Sequence, residues 1–327
     1  MMEFEFQQVD WELKSVFRIA YKSRTHARTV VVELRNGDLV GRGEALGVSY
    51  HGETVDTIAE QLAGIAEELR RGISRDALQK RLPPGGARNA IDCALWDMEA
   101  KRQGRRAWEL AGIETARPLT TAYTLGIDTP EAMGRAADSL GHYPVLKLKL
   151  AGDEFDVERV RAVRTACPHT VLIVDANQAW TEAQLHSLTP ELHELGVKLI
   201  EQPLPAGKDD ALDKFVSPIP ICADESCQTL TSLPHLRNRY QYINIKLDKT
   251  GGLTAALELA REARRSGLEL MVGCMSGSSL SMAPAFVVGQ WCSFVDLDGP
   301  LLAKSDVPNG IHYEGGRMSA PQSNLWG

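Results

Sequence analysis

The chain has 327 residues, with 36 Lys and Arg against 43 Asp and Glu, a formal charge of -7, and 43% hydrophobic and 24% charged residues. That is the balance of a soluble globular protein long enough for a barrel and a second, smaller core, and with no basic excess to neutralise phosphates it argues against nucleic acid as a partner. The acidic start, Met1-Met2-Glu3-Phe4-Glu5-Phe6, is unlike a secretory leader and no apolar run approaches a membrane span, so a cytoplasmic chain with no membrane partner is expected. Six cysteines (Cys93, Cys167, Cys222, Cys227, Cys274, Cys292) form no C-x-x-C pair and read as reduced thiols.

Residues 3–35 alternate like strands, ending at Thr29-Val30-Val31-Val32-Glu33-Leu34 and a turn at Asn36-Gly37-Asp38. A glycine-rich stretch runs from Gly41 to Gly52, and residues 54–111 read as helices. The small residues Ala90, Cys93, Ala94 and Ala100 suit close helix packing. From Thr120 to Asp298 strands alternate with helical segments near 129–140, 154–166, 180–195, 208–215, 230–238, 251–266 and 277–290. Such alternation predicts a parallel sheet, and eight strands with seven helices favour closure into a barrel. The competitor, an open doubly wound sheet, lacks its nucleotide fingerprint, since Gly41-Arg42-Gly43-Glu44-Ala45-Leu46-Gly47 has the wrong third spacing and opens no helix. The expected fold is α/β: a modified (β/α)7β TIM-like barrel over residues 116–304, with an N-terminal α+β capping domain over residues 1–115 to which the tail, 305–327, returns.

Five strand-like runs end in a charged residue, in the order Lys149, Asp175, Glu201, Asp224 and Lys246, at spacings of 26, 26, 23 and 22 residues. Each interval is one strand, one helix and two loops. Parallel strands closed in a ring bring their C-terminal ends to one mouth. A lone acid after a strand is a cap or turn residue. Three on consecutive strands repel one another unless a cation joins them. An all-oxygen set without His or Cys selects a hard ion, Mg²⁺, one per subunit. Lys147 and Lys149 lie two apart and face the same way; they are either solubilising lysines on an edge or inward groups at the mouth. Lys246 is four strands on, across an eight-strand ring. Two amines facing each other over a metal can take a proton from one face of a carbon and return it to the other. For that a lysine must be neutral, and a nearby cation and a second ammonium are expected to lower its ordinary pKa of about 10.4. Asp296-Leu297-Asp298 closes the eighth strand, either as turn acids before Gly299-Pro300 or as binders of an ammonium group.

These residues resemble the enolase superfamily, muconate-lactonizing subgroup, over nearly the whole chain: the Lys147/Lys149 pair, the acids Asp175, Glu201 and Asp224, Asn244-Ile245-Lys246, and the helix Ala90-Ile91-Asp92-Cys93-Ala94-Leu95-Trp96-Asp97. Lysine bases with Mg²⁺ are that superfamily's known solution to enolate chemistry. Within the subgroup, Asp296-Leu297-Asp298 and Gly273-Cys274-Met275 resemble the dipeptide epimerases of the L-Ala-D/L-Glu type, which act on murein peptides. The resemblance implies epimerisation of a small dipeptide at its C-terminal α-carbon. Lys149 and Lys246 would be the two bases, Lys147 a carboxylate and pKa partner, and Asp175, Glu201 and Asp224 the Mg²⁺ ligands. It also implies Asp296 and Asp298 on the substrate ammonium, Arg24 in a mobile N-terminal loop on the glutamyl side chain, and Thr124 and the Cys274–Ser276 turn lining the pocket. The chain departs from the family pattern at Ser49 and His51, where proline and tyrosine are expected, and in the small run Ser276-Gly277-Ser278-Ser279; both stretches are expected to face the substrate. The rival readings are a cycloisomerase or o-succinylbenzoate synthase, and a barrel that only binds a ligand. A homo-oligomer is left open.

Overall fold

The computed structural model describes residues 2–327. The N-terminal unit is an antiparallel sheet of β1 (Glu3–Ile19), β2 (Lys22–Asn36) and β3 (Leu39–Ala45), in that order. The pairing of β1 with β2 shifts register between Glu12 and Phe17. A bulge of this kind bends a strand, and the outer half of the hairpin lies against the barrel, where the Ile127 N–H donates to Arg18 O at 2.9 Å and the Lys304 N–H to Glu12 O at 2.8 Å.

Against this sheet pack α1 (Val55–Arg71) and α3 (Gly86–Gln103), with α2 (Arg75–Arg81) on α3. Helix α1 starts in a capping box at Thr54 and Thr57 and buries Val55, Ile58, Leu62, Ile65 and Leu69, the three-and-four spacing of one helical face. Helix α3 is buried on nearly every side because it lies between the cap sheet and the barrel. The first part of the glycine-rich stretch is strand β3, and the rest runs through a loop into a 3-10 turn at Ser49–His51; a Cβ on Gly41 would fall 2.2 Å from Ala94 O, and one on Gly43 2.1 Å from Ala90 O. Small residues on both elements let β3 and α3 touch backbone to backbone. The short helix α4 (Ala107–Leu110) follows.

The expected strand at 120–124 is two pieces. Strand β4 (Leu119–Thr120) leaves the barrel, and β5 (Tyr123–Leu125) begins it. Then come β6 (Val145–Lys149), β7 (Val171–Asp175), β8 (Val197–Glu201), β9 (Ile221–Ala223), β10 (Tyr242–Ile245), β11 (Glu269–Gly273) and β12 (Phe294–Asp296), eight neighbours in chain order. The ring closes between β5 and β12, where the Ala122 N–H donates to Val295 O at 2.8 Å and the Leu297 N–H to Thr121 Oγ1 at 2.9 Å. The tail adds β13 (Tyr313–Glu314) and β14 (Arg317–Met318), and β14 pairs with β4.

Helices α5 (Pro130–Asp138), α6 (Asp156–Ala166) and α7 (Glu182–Glu194) follow the first three barrel strands. The segment expected as a helix at 208–215 is a single 3-10 turn, Asp210–Lys214, with only Leu212 buried. Prolines at 203, 205, 218 and 220 leave no room for more. The next is a 3-10 turn, Leu230–Ser232, running into α8 (Leu233–Leu236). After β10 come α9 (Leu247–Thr250) and α10 (Leu253–Arg265), and after β11 and β12 come α11 (Ser279–Gly289) and α12 (Gly299–Leu302). Inside the ring Ile173, Leu199, Cys222 and Met271, all fully buried, form an apolar floor. The Ile, Leu and Met side chains each contribute about 1.5–3 kcal/mol on leaving water, and Asp175, Glu201 and Asp224, one strand period beyond Ile173, Leu199 and Cys222, stand on this floor.

Candidate active site

Strand period and parallel register place the charged side chains. Lys149 is level with Asp175, and Asp175 with Glu201, so their side chains emerge at one height. Asp224 and Lys246 follow β9 and β10 by one residue. Oxygens of Asp175, Glu201 and Asp224 lie within 4.8 Å of one another, and all three residues are buried.

Two lysines flank the acids from opposite sides. Lys149 Nζ is 2.5 Å from Asp175 Oδ2, and Lys246 Nζ is 2.6 Å from Asp224 Oδ2. Lys147 lies deeper, 2.8 Å from Asp296 Oδ2, 2.6 Å from Glu201 Oε2 and 3.2 Å from Asp175 Oδ2. Burial works to neutralise Lys147, but Asp296, Glu201 and Asp175 outweigh it and its pKa stands well above the ordinary lysine value. Lys246 is raised in the same way, against burial, chiefly by Asp224 and Glu201. Without a cation, the protein's own acids thus favour the ammonium form of Lys147 and Lys246, and the expected lowering depends on the positive charge of a bound metal. Burial raises Asp175 and Asp224, yet their lysines prevail and hold both below the usual carboxylate range. Glu201 is pushed up to about 7 by burial, with the Asp175 charge adding to it.

The donor set fits a hard cation. Among the described residues, Glu201 Oε2 and Asn244 Oδ1 are buried with no hydrogen bond; Lys147 Nζ is close to the first but outside hydrogen-bond geometry. Three carboxylate oxygens converging with no nitrogen or sulfur donor match Mg²⁺ or a similar ion.

Above the acids is a small cavity of about 90 Å³, lined among others by Phe17, Arg24, Tyr50, Thr124, Lys147, Lys149, Lys246, Cys274, Ser276, Asp296 and Asp298. Arg24 is on strand β2, not in a loop; its Nη2 donates to Ser276 Oγ at 2.7 Å and to Met275 O at 3.2 Å, and its guanidinium lies 5.5 Å from the centre of the Phe17 ring. At the other end Asp298 Oδ2 accepts from the Thr124 N–H at 2.7 Å, and Asp296 Oδ1 from Thr124 Oγ1 at 3.2 Å. Asp296 is thus shared with Lys147, whereas among the described residues Asp298 pairs with no cation. Burial and the Asp296 charge push Asp298 up to about 7.

Two expectations about the lining fail in part. Ser49 lines the cavity, but His51 is exposed at the end of its 3-10 turn, and Tyr50 faces inward instead. Ser276 lines it too, while Ser278 turns to Glu44 and Ser279 to Asp306, because both serve the start of α11. The site also has members that the strand-end pattern did not name. Lys249 Nζ holds Asp224 Oδ1 at 2.6 Å and Asn244 O at 2.8 Å, and Asn244 Nδ2 holds Glu201 Oε1 at 2.8 Å. Asn244 is two residues before Lys246, so the strand period carried that signal. Glu225 is buried beside Asp224, pushed up to about 8 by burial and the Asp224 charge.

The family model "Mandelate racemase / muconate lactonizing enzyme, N-terminal domain" matches residues 1–112, and "Enolase C-terminal domain-like" matches residues 129–324. Among curated relatives, the L-Ala-D/L-Glu epimerase of Escherichia coli is 44% identical, over 94% of this chain and 96% of its own. The N-acetyl-D-glutamate racemase of a Pseudoalteromonas species is 43% identical, over 91% and 95%. Among solved structures, an Agrobacterium tumefaciens enolase family member with homology to dipeptide epimerases, holding sodium and L-Ala-L-Glu, superposes with a TM-score of 0.98 at 42% identity, covering all of both chains. A dipeptide epimerase of Methylococcus capsulatus, complexed with Mg and L-Arg-D-Lys, gives 0.88 at 32% identity, over 97% and 96%. Two matched domains and strand-end lysines around a carboxylate triad lead to one conclusion: the chain belongs to the mandelate racemase and muconate-lactonizing enzyme family of the enolase superfamily.

Proposed function

We propose that the protein is a Mg²⁺-dependent dipeptide epimerase that inverts the α-carbon of the C-terminal residue by a two-lysine 1,1-proton transfer, with L-Ala-D/L-Glu from murein as the substrate. The observation that carries this reading is the placement of Lys149 and Lys246 on opposite sides of the triad, four strands apart in the ring. Asp175, Glu201 and Asp224 would hold the cation, whose charge would offset the negative charge that develops on the substrate carboxylate as the α-proton leaves. One lysine, as the free amine, takes the proton from one face of the carbon; the other, as ammonium, delivers a proton to the opposite face. Each direction leaves the pair charged the other way round, ready for the reverse reaction. Lys147 is the fixed positive charge beneath the substrate carboxylate. Asp298, with Asp296, receives the dipeptide ammonium, and Arg24 the glutamyl carboxylate. Thr124, Cys274 and Ser276 bound the space between these ends.

Residues 1–115 with 305–327 act in this reading as the cap, and 116–304 as the catalytic barrel. Among the described residues no helix is long and apolar enough to cross a membrane, and the cytoplasm is the proposed site of action.

One second reading has an observation behind it. The 43% identical racemase acts on N-acetyl-D-glutamate, which has the glutamyl side chain but no ammonium, and Asp296 is already engaged by Lys147. Exchange of the α-proton in D₂O, followed by NMR with Mg²⁺, separates the two. L-Ala-L-Glu should exchange and epimerise far faster than N-acetyl-L-glutamate. Equal or reversed rates would favour the N-acyl reading, and no exchange on either would end both.

A further inference from the structure

Glu44 lies outside the cavity lining, on β3 of the capping domain, yet it is one of the most enclosed carboxylates in the chain, 1% exposed. It has a full set of donors. Trp11 Nε1 reaches its Oε1 at 2.8 Å and Thr29 Oγ1 at 2.7 Å, both from within the cap. From the barrel, the Ser278 N–H approaches Oε2 at 3.3 Å and the Ser278 hydroxyl donates to the same oxygen. Ser278 is the N-cap of α11, so a carboxylate here also meets the positive end of that helix.

The turn that Glu44 holds is under backbone strain. Ser276 has φ +94° and Gly277 φ +126°, the first in a region that residues with a Cβ avoid. A Cβ on Gly277 would fall 2.5 Å from Ser281 Oγ, and one on Gly299 2.8 Å from Gly277 O. Strain of this kind persists only where the surroundings over-determine it. Ser276 Oγ and Met275 O, on the cavity side of the turn, are the two acceptors that fix the Arg24 guanidinium. One short path of contacts therefore runs from Glu44 through Ser278 and Gly277 to Ser276 and Arg24.

We propose that Glu44 is a positioning residue: its carboxylate lets the capping domain hold the Cys274–Ser279 turn in the strained shape that seats Arg24, and so fixes the end of the cavity that reads the substrate side chain. The kinetic consequence rests on the dipeptide reading above; the structural consequence does not. Three variants separate this role from plain stability. Glu44→Gln and Ser278→Ala cut the link to the turn, while Thr29→Val removes a bond to the same carboxylate wholly inside the cap.

Hydrogen exchange of the substrate-free protein should show faster amide exchange over residues 274–279 in Glu44→Gln and Ser278→Ala, and not in Thr29→Val. With Mg²⁺ present, the first two should raise KM for L-Ala-L-Glu about tenfold, the size of one charge-assisted hydrogen bond. They should leave kcat within about twofold and barely change KM for L-Ala-L-Gln, since interactions equal in ground and transition states act on KM alone. The double variant should be no worse than either single one. Thr29→Val matching Glu44→Gln in both readouts, or unchanged exchange at 274–279, would overturn the proposal. If the wild type turns over neither dipeptide, the proposed function fails, and the exchange comparison alone decides the role of Glu44.

Discussion

Asp298 and the lysines of the mouth show how far one residue's surroundings can be turned into an outcome. Either Lys149→Ala or Lys246→Ala should stop epimerisation, with a loss of at least about 10²–10⁴-fold, the range for a positioned base. Each variant should still exchange the α-proton of one stereoisomer, which NMR in D₂O reads directly; exchange of both isomers by both variants would rule out the two-base scheme. Asp298 has its folded pKa raised from the ordinary carboxylate value to about 7 by burial. Between those values the native state binds a proton that the unfolded chain has lost, so this group's contribution falls as pH rises through the window. Asp298→Asn should therefore cost no stability above pH 7, as followed by Tm. On the free dipeptide it should nonetheless lose about 3–5 kcal/mol in kcat/KM, as for a broken buried ion pair, and much less on an N-acetylated analogue. For the wild type, kcat/KM on the free dipeptide should rise as pH passes through about 7, a limb that Asp298→Asn lacks.

The elements were legible to different degrees, for physical reasons. Barrel strands β6, β7 and β8 end at Lys149, Asp175 and Glu201 as expected, because a charge that closes a mostly apolar run is easy to read. Crossovers were harder. At 208–215 a helix was expected from length alone, but Arg239 meets Asp209, Asp210 and Asp213 there and a single turn completes the connection. Strand β3 was hidden because glycines carry no alternation to read, although they are what the contact with α3 requires. A sharp expectation follows for that contact. Gly43→Ala would put a Cβ 2.1 Å from Ala90 O and 2.9 Å from Ala94 N, both backbone atoms that cannot swing aside. Overpacking of this kind costs about 1–3 kcal/mol or more, and urea unfolding should show a loss in that range. Glu44 is the next residue, so a displaced β3 should also raise KM.

For the whole molecule, the site was visible where charge interrupts apolar sequence and invisible where one unit leans on the other. Lys149, Asp175, Glu201, Asp224 and Lys246 stand at strand ends and announce themselves. Glu44, Tyr50 and the strand placement of Arg24 depend on how the cap meets the barrel mouth, and no local pattern encodes that. The triad gives a further test at this scale. A ligand that binds only the native state stabilises it by about 2.7 kcal/mol at a hundred times its Kd. Mg²⁺ should raise Tm in a concentration-dependent way and chelation should abolish turnover. Glu201→Gln, which keeps the side chain's shape, should remove most of the Tm response. A wild-type Tm indifferent to Mg²⁺, with full activity in chelator, would remove the cation from the scheme.

The seam of the ring has a consequence for how such an enzyme can change over generations. Strands β5 and β12 meet through the Ala122–Val295 bond, the Thr121–Leu297 bond and the two contacts of Thr124 with Asp296 and Asp298. The acids proposed to choose the amino end of the substrate thus also fasten the barrel shut. A lineage exchanging Asp298 for an apolar residue, to accept a blocked amino end, would leave the Thr124 N–H buried without an acceptor at the closure point. Paths to that specificity should therefore keep an acceptor at 298, as Asn does, because no exchange at 124 short of proline removes that backbone N–H.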